Sequence, residues 1–273
     1  MKRLSIALLL LCAGCDRPAD TGWLGYAEGE TAMIAAPSAG WLSGLGVKRG
    51  DMVINGQTLF HLDDTAQNSA TQQAQAGVAS IQAQIIEAKA ALSYAQIDLA
   101  RQTRLVSEKA AAQQALDLSR QNFKTAESRL AALEAQAKQN EAAFTGAAYQ
   151  QSERSITART QGKVEDIFFR EGEYVPAMTP VIAVLPPENV FVRFFVPETQ
   201  FSKIHLGDKV AISCDGCAAN ITANISFIAS TEEFTPPVIF SVGNREKLVF
   251  KVEARANGGL KLNPGQPVQV RPL

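Results

Sequence analysis

A motif of roughly 25 residues occurs twice in this chain, 122 positions apart, with no gap inside either copy. The first copy runs Gly40-Trp41-Leu42, Val47, Gly50-Asp51-Met52-Val53 and Leu59-Phe60-His61-Leu62. The second runs Gly162-Lys163-Val164, Phe169, Gly172-Glu173-Tyr174-Val175 and Val181-Ile182-Ala183-Val184. Both copies alternate short apolar runs with glycines at turn positions, the pattern of β-hairpins. One such half cannot cover its own apolar face. The two halves must close on each other, and whatever lies between them is thrown outward as a projection.

The stretch between them is rich in Ala and Gln and holds no proline between Pro37 and Pro176. Val78, Ile81, Ile85, Ala88, Leu92, Ala95, Leu99, Gln102 and Val106 follow one another in steps of three and four. Leu116, Ser119, Phe123, Ala126, Leu130, Leu133, Ala137, Asn140 and Phe144 repeat that alternation. This is a sustained a/d seam in two arms. The arms meet only if the chain reverses at Ser107–Ala112, which makes each about 40 residues, or about 60 Å, long. Asn140 and Gln102 are polar seam positions of the kind that fix register.

Residues 186–273 read as a β-barrel, with strand-like runs at Val190–Val196, Lys209–Ser213, Ile221–Phe227, Leu248–Ala254 and Val268–Val270. Pro197 opens a short helical segment that Gly207 closes. The stretch Tyr26–Ala35 supplies a strand from the N-terminal side.

The N-terminus reads as a targeting segment. Lys2 and Arg3 precede the short apolar run Leu4–Leu11, too short to span a bilayer. Cys12-Ala13-Gly14-Cys15 then resembles a bacterial lipoprotein cleavage box, with Cys12 where such boxes usually carry Leu. The resemblance implies a lipid on Cys15, and Asp16 behind it resembles an inner-membrane retention signal. An ordinary cleaved signal is the alternative. Cys214-Asp215-Gly216-Cys217 spans a tight turn between strand-like flanks. In an exported protein this is most simply a structural disulfide, with a redox pair, a metal site or free thiols as the other readings.

A net charge of −1 gives no electrostatic case for a nucleic-acid partner. No phosphate-cradling G-x-x-x-x-G-K-[ST] occurs. With two histidines, His61 and His205, far apart in sequence, there is no nucleophile–base constellation and no metal-ligand set, so no catalytic or cofactor-binding residue is assigned.

Taken together, the two half-motifs, the intervening hairpin, the lipoprotein start and the β-rich C-terminal part resemble the membrane fusion protein family. These are the HlyD-type periplasmic adaptors of tripartite efflux and secretion systems. The resemblance covers essentially the whole mature chain. It implies an elongated α+β fold, in which a long antiparallel coiled-coil α-hairpin is inserted between the halves of a lipoyl/biotinyl-like β-sandwich and a small β-barrel follows. The implied organisation is a signal peptide (1–14), a lipidated tether (15–25), an N-terminal strand joining the barrel (26–35), a split lipoyl-like domain (36–63 with 157–185), the hairpin (64–156) and the barrel (186–273). Gly25-Tyr26-Ala27-Glu28-Gly29-Glu30, Glu233-Phe234-Thr235-Pro236-Pro237-Val238-Ile239 and Lys247–Arg255 look particularly like adaptors paired with ABC-type exporters.

The resemblance further implies an inner-membrane exporter, ABC-type in preference to proton-driven, and a TolC-type outer-membrane channel as partners, self-assembly as a hexamer, and a periplasmic location on the inner membrane. Family hairpin tips carry Arg, then Leu, then Ser. Arg101 and Leu105 match, Ala112 stands at the Ser position, and Asp117 further along also matches. The plainer reading of Arg101 is an exposed helix charge. A lipoyl or biotinyl carrier would need a lysine after Leu62-Asp63-Asp64, and none is there. A coiled-coil envelope scaffold that recruits cell-wall enzymes accounts for the hairpin but not for the flanking half-motifs.

Overall fold

In chain order the elements are β1 (Trp23–Gly29), β2 (Ala32–Ala35), β3 (Gly40–Leu45), β4 (Met52–Val53), β5 (Thr58–Leu62), α1 (Thr65–Ser107), α2 (Gln113–Ser152), β6 (Ser155–Thr157), β7 (Gly162–Ile167), β8 (Tyr174–Val175), β9 (Pro180–Leu185), β10 (Val190–Pro197), α3 (Glu198–Phe201), β11 (Lys209–Ser213), β12 (Ile221–Phe234), β13 (Leu248–Arg255) and β14 (Pro267–Pro272). They come from a computed structural model that describes residues 22–218, 220–234 and 248–273.

The repeated motif builds two four-stranded sheets, ordered β2-β9-β7-β4 and β6-β5-β3-β8. Each sheet contains strands from both halves. β3 of the first copy pairs with β8 of the second (Gly40↔Val175), and β7 of the second pairs with β4 of the first (Val53↔Gly162). The turn bonds are exchanged in the same way: the Gly50 N–H donates to the Val164 carbonyl, and the Gly172 N–H donates to that of Leu42, both at 2.8 Å. Gly50 and Gly172 sit at φ +94° and +87°, a conformation that an L side chain adopts only at a steric cost. Leu42, Val53, Leu59, Phe60 and Leu62 from one half meet Val164, Val175, Val181, Ile182 and Val184 from the other in one core. Neither sheet is complete without both halves.

The repeat extends further back than its glycines reveal. β2 and β6 hold equivalent outer positions in the two sheets, and Ala36 and Ala158, again 122 apart, are both buried. The stretch 26–35 is therefore two strands rather than one barrel strand. β1 pairs with β10 and β14, whereas β2 pairs with β9 of the sandwich, because Ile34 packs against the sandwich core. For the same reason the second half begins at β6, at Ser155, two residues earlier than the sequence reading placed it.

Between the halves, α1 and α2 form a long antiparallel helical pair. α1 has 43 residues, about 65 Å of helix. Both seams named from the sequence are buried or half-buried along their length, while the positions beside them are mostly exposed. Ile81, Ala88 and Leu133 form the pair's own core, flanked by Ile85, Leu130 and Ala137. Two polar contacts set the register. Asn140 Nδ2 donates to the Gly77 carbonyl (3.1 Å), and Ser119 Oγ donates to Asp98 Oδ2 (2.8 Å). The chain then closes a six-stranded barrel, β1-β10-β13-β12-β11-β14. Val192, Phe194, Val210, Val252 and Val270 fill it, and Trp23 stacks on Phe194 at 5.5 Å.

Candidate functional site

The far end of the helical pair is built by a short turn. α1 stops at Ser107, and the Ala110 N–H reaches back to the Leu105 carbonyl at 2.8 Å. Lys109 takes φ +58° to reverse the chain. Ala112 is the N-cap of α2, at φ −79° and ψ 145°, and it offers no side-chain acceptor to the first turn. Leu105, half-buried, and Ala112, exposed, lie on either side of this turn. Arg101 and Asp117 sit about one helical turn below, on opposite helices. Arg101 is half-exposed and pairs with Asp98 at 3.6 Å. Asp117 accepts from Gln113 Nε2 (3.1 Å) and pairs with Arg120 at 3.5 Å. The fold thus gathers all four residues at one end of the pair.

Sequence reasoning missed the residue that ties this end together. Asp98 takes the Ser119 hydroxyl across the seam and Arg101 along its own helix. Ser119 is the one buried polar side chain among the described residues, 4% exposed. A serine at an a/d position beside an aspartate on the facing arm was the available signal.

At the near end, the pair is fastened to the sandwich. The Leu62 N–H donates to the Arg154 carbonyl, the Asp63 N–H donates to that of Trp41, and Arg154 Nη1 donates to the Ala39 carbonyl, each at 2.8 Å. Asp63 Oδ1 accepts from both the hydroxyl (2.6 Å) and the amide (3.0 Å) of Thr65, which starts α1. These bonds hold the Asp63 carboxyl below the usual aspartate range, against a small opposing effect of desolvation.

On the barrel, Cys214 and Cys217 face each other across their turn with Cα atoms 5.3 Å apart, within the range a disulfide needs. Gln266 Nε2 lies 3.4 Å from both sulfurs. Elsewhere on the barrel, Arg193 of β10 pairs with Glu28 and with Glu253 (2.8 Å). Burial pushes the Arg193 guanidinium toward neutrality, but Glu253, Tyr26 and Glu28 together outweigh it and hold the proton more firmly than usual. His61 is exposed on β5, and His205 lies near Asp208 (3.6 Å) beyond α3. Cys15, Asp16 and the stretch 235–247 lie outside the described residues. Among the described residues no helix is long and apolar enough to cross a membrane.

No protein-family profile matches the chain. The UPF0194 membrane protein in the asrC 5′ region of Acidithiobacillus ferridurans is 29% identical over 204 residues, which is 67% of this chain. The chain spans 60% of that relative's length. MacA from Actinobacillus actinomycetemcomitans superposes with a TM-score of 0.70 at 20% identity, over 91% of this chain and 76% of MacA. The membrane fusion protein Spr0693 from Streptococcus pneumoniae R6 superposes at 0.54 with 16% identity, over 92% of this chain and 98% of its own. The chain has the fold of a membrane fusion protein. That likeness covers nine-tenths of the chain, and at these identities it is a likeness of fold.

Proposed function

We propose that this chain is the periplasmic adaptor of a tripartite export assembly. It would link an inner-membrane exporter, of the ABC type, to a TolC-type outer-membrane channel. The observation that carries this reading is the placement of Arg101, Leu105, Ala112 and Asp117 at the end of a rod about 60 Å long, rooted in a sandwich that neither half can build alone. We read the helical pair as a coiled-coil hairpin whose tip docks the channel, and the sandwich and barrel as the split lipoyl-like and barrel domains. Six copies stack these domains around an axis in the assembly we propose. A lipid on Cys15, with Asp16 as the retention signal, holds the adaptor at the inner membrane, and the Cys214–Cys217 bridge pins the β11–β12 turn. The chain does no covalent chemistry. Exporters and channels supply the energy and the outer pore.

Co-purification from solubilised envelopes tests this. Recovery of an exporter with ATPase subunits and an outer-membrane channel supports the adaptor. Recovery of a cell-wall hydrolase without either refutes it. A Cys15→Ser chain that stays on membranes in the absence of its exporter refutes the lipid anchor.

A further inference from the structure

Beyond pinning the β11–β12 turn, the Cys214–Cys217 bridge contributes little to the barrel. It closes only the loop of residues 214–217, and the entropy a cross-link removes from the unfolded chain falls with loop length. The same turn is closed without it. The Cys217 N–H donates to the Cys214 carbonyl at 3.2 Å, and Ile212 and Ile221 pair in the ladder on either side. Both cysteines are half-buried, packed against the barrel core rather than sealed within it.

One side chain near the bridge is matched to the opened pair instead. Gln266 Nε2 stands at hydrogen-bond distance, 3.4 Å, from each sulfur. The other end of its amide fixes which way it faces: the Asn263 N–H donates to Gln266 Oε1 at 3.1 Å, so the NH2 group is the end turned to the sulfurs. The backbone is held as well. The Gln266 N–H donates to the Asn263 carbonyl at 3.0 Å, and the Gln266 carbonyl accepts the Ala27 N–H at 2.8 Å. A disulfide sulfur is a weak acceptor and gains little from such a donor. A thiolate is an anion, and a hydrogen bond to it is charge-assisted. Asp215, between the two cysteines, is exposed, so water screens its repulsion of a thiolate.

We propose that Cys214 and Cys217 are a redox site that exchanges electrons with a dithiol, and that Gln266 holds the thiolate this exchange releases. A thiolate of the dithiol attacks one cysteine sulfur. A mixed disulfide forms as the Cys214–Cys217 bond breaks, and the other cysteine leaves as a thiolate on the Gln266 amide. The second thiol of the reductant then displaces the first cysteine. The reductant departs as a disulfide, and its two electrons and two protons pass to the chain. A monothiol does not complete the reaction: the freed cysteine, with its Cα 5.3 Å away, expels it and closes the bridge again. The inference goes beyond the adaptor reading and does not depend on it.

The test equilibrates the full chain, without denaturant, with mixtures of reduced and oxidised dithiothreitol. Acid quenching, alkylation and the mass of the peptide containing residues 214–217 give the reduced fraction. The pair should open to the dithiol while circular dichroism shows the chain still folded. Gln266→Glu keeps an acceptor for the Asn263 N–H but sets an anion against the sulfurs. It should raise the reduced-to-oxidised dithiothreitol ratio at half-reduction by about ten-fold, about 30 mV for a two-electron couple. Gln266→Leu removes the donor without adding charge and should move the ratio the same way by less. A bridge that opens only when urea unfolds the chain, or a ratio unchanged by Gln266→Glu, overturns the redox site. A stable glutathione adduct on either cysteine, with glutathione in place of dithiothreitol, overturns the dithiol class. None of these results bears on whether an exporter and a channel co-purify.

Discussion

Ala112→Ser is a perturbation whose size the structure sets. Ala112 already has the extended N-cap conformation, and its carbonyl accepts the Ala115 N–H at 3.0 Å. What it lacks is an oxygen for the orphan amides of the first turn, and no acidic residue in that turn supplies one. A serine hydroxyl there accepts from the Gln114 or Ala115 amide. Such a cap contributes about 1 kcal/mol. Little offsets the gain, because Ala112 is exposed and its methyl is not part of a buried core. The tip opens locally rather than with the whole molecule, so the gain should appear as slower amide exchange at residues 114–116, about five-fold, without a comparable change in global stability. Ala112→Val, which has no acceptor, is the control and should not slow exchange. If serine leaves those amides unchanged, or valine slows them equally, α2 does not start at this residue and the tip geometry drawn here is wrong.

Ser119→Ala removes a hydroxyl donated to a carboxylate. It should cost about 1–2 kcal/mol in thermal or urea unfolding, less than a fully buried charged bond because Asp98 keeps Arg101. Arg193→Leu leaves Glu28 and Glu253 facing each other without their cation, and should destabilise the chain by about 2–3 kcal/mol, discounted for partial exposure. The Asp63 carboxyl is held below its unfolded value by Thr65, so its contribution is present above about pH 4 and is lost as pH falls below that. A carboxyl-carbon NMR titration should therefore show Asp63 ionising at lower pH than a free aspartate, and Thr65→Val should move it back up.

The repeat was legible because glycines and apolar residues recur at one fixed offset, and the seams because residues in steps of three and four are mostly apolar over about eight turns in each arm. What could not be read is which strand pairs with which. The exchange that puts β8 beside β3 and β4 beside β7 involves two-residue strands with no periodicity of their own. β2 and β6 escaped because their shared signal is only Ile34/Ile156 and Ala36/Ala158, and β2 follows β1 so closely that the two read as one strand. The strained turn at Met178 was hidden for the opposite reason. Methionine is not a residue that announces positive φ, and only the other half's Gly56 shows what the position requires. At the tip, the four candidate residues were found by resemblance, while the Asp98–Ser119 bond beneath them depends on a register between arms that periodicity alone leaves open.

The bridging role itself is tested most directly by photo-crosslinking in living cells, with a photoreactive amino acid at position 112 in one strain and at exposed Leu206 of the barrel in another. An adaptor should give an outer-membrane channel adduct from position 112 and none from 206, and the channel adduct should fall when Arg101 is changed to Glu. Adducts with a cell-wall hydrolase from position 112, or a channel adduct formed equally from both positions, would contradict it.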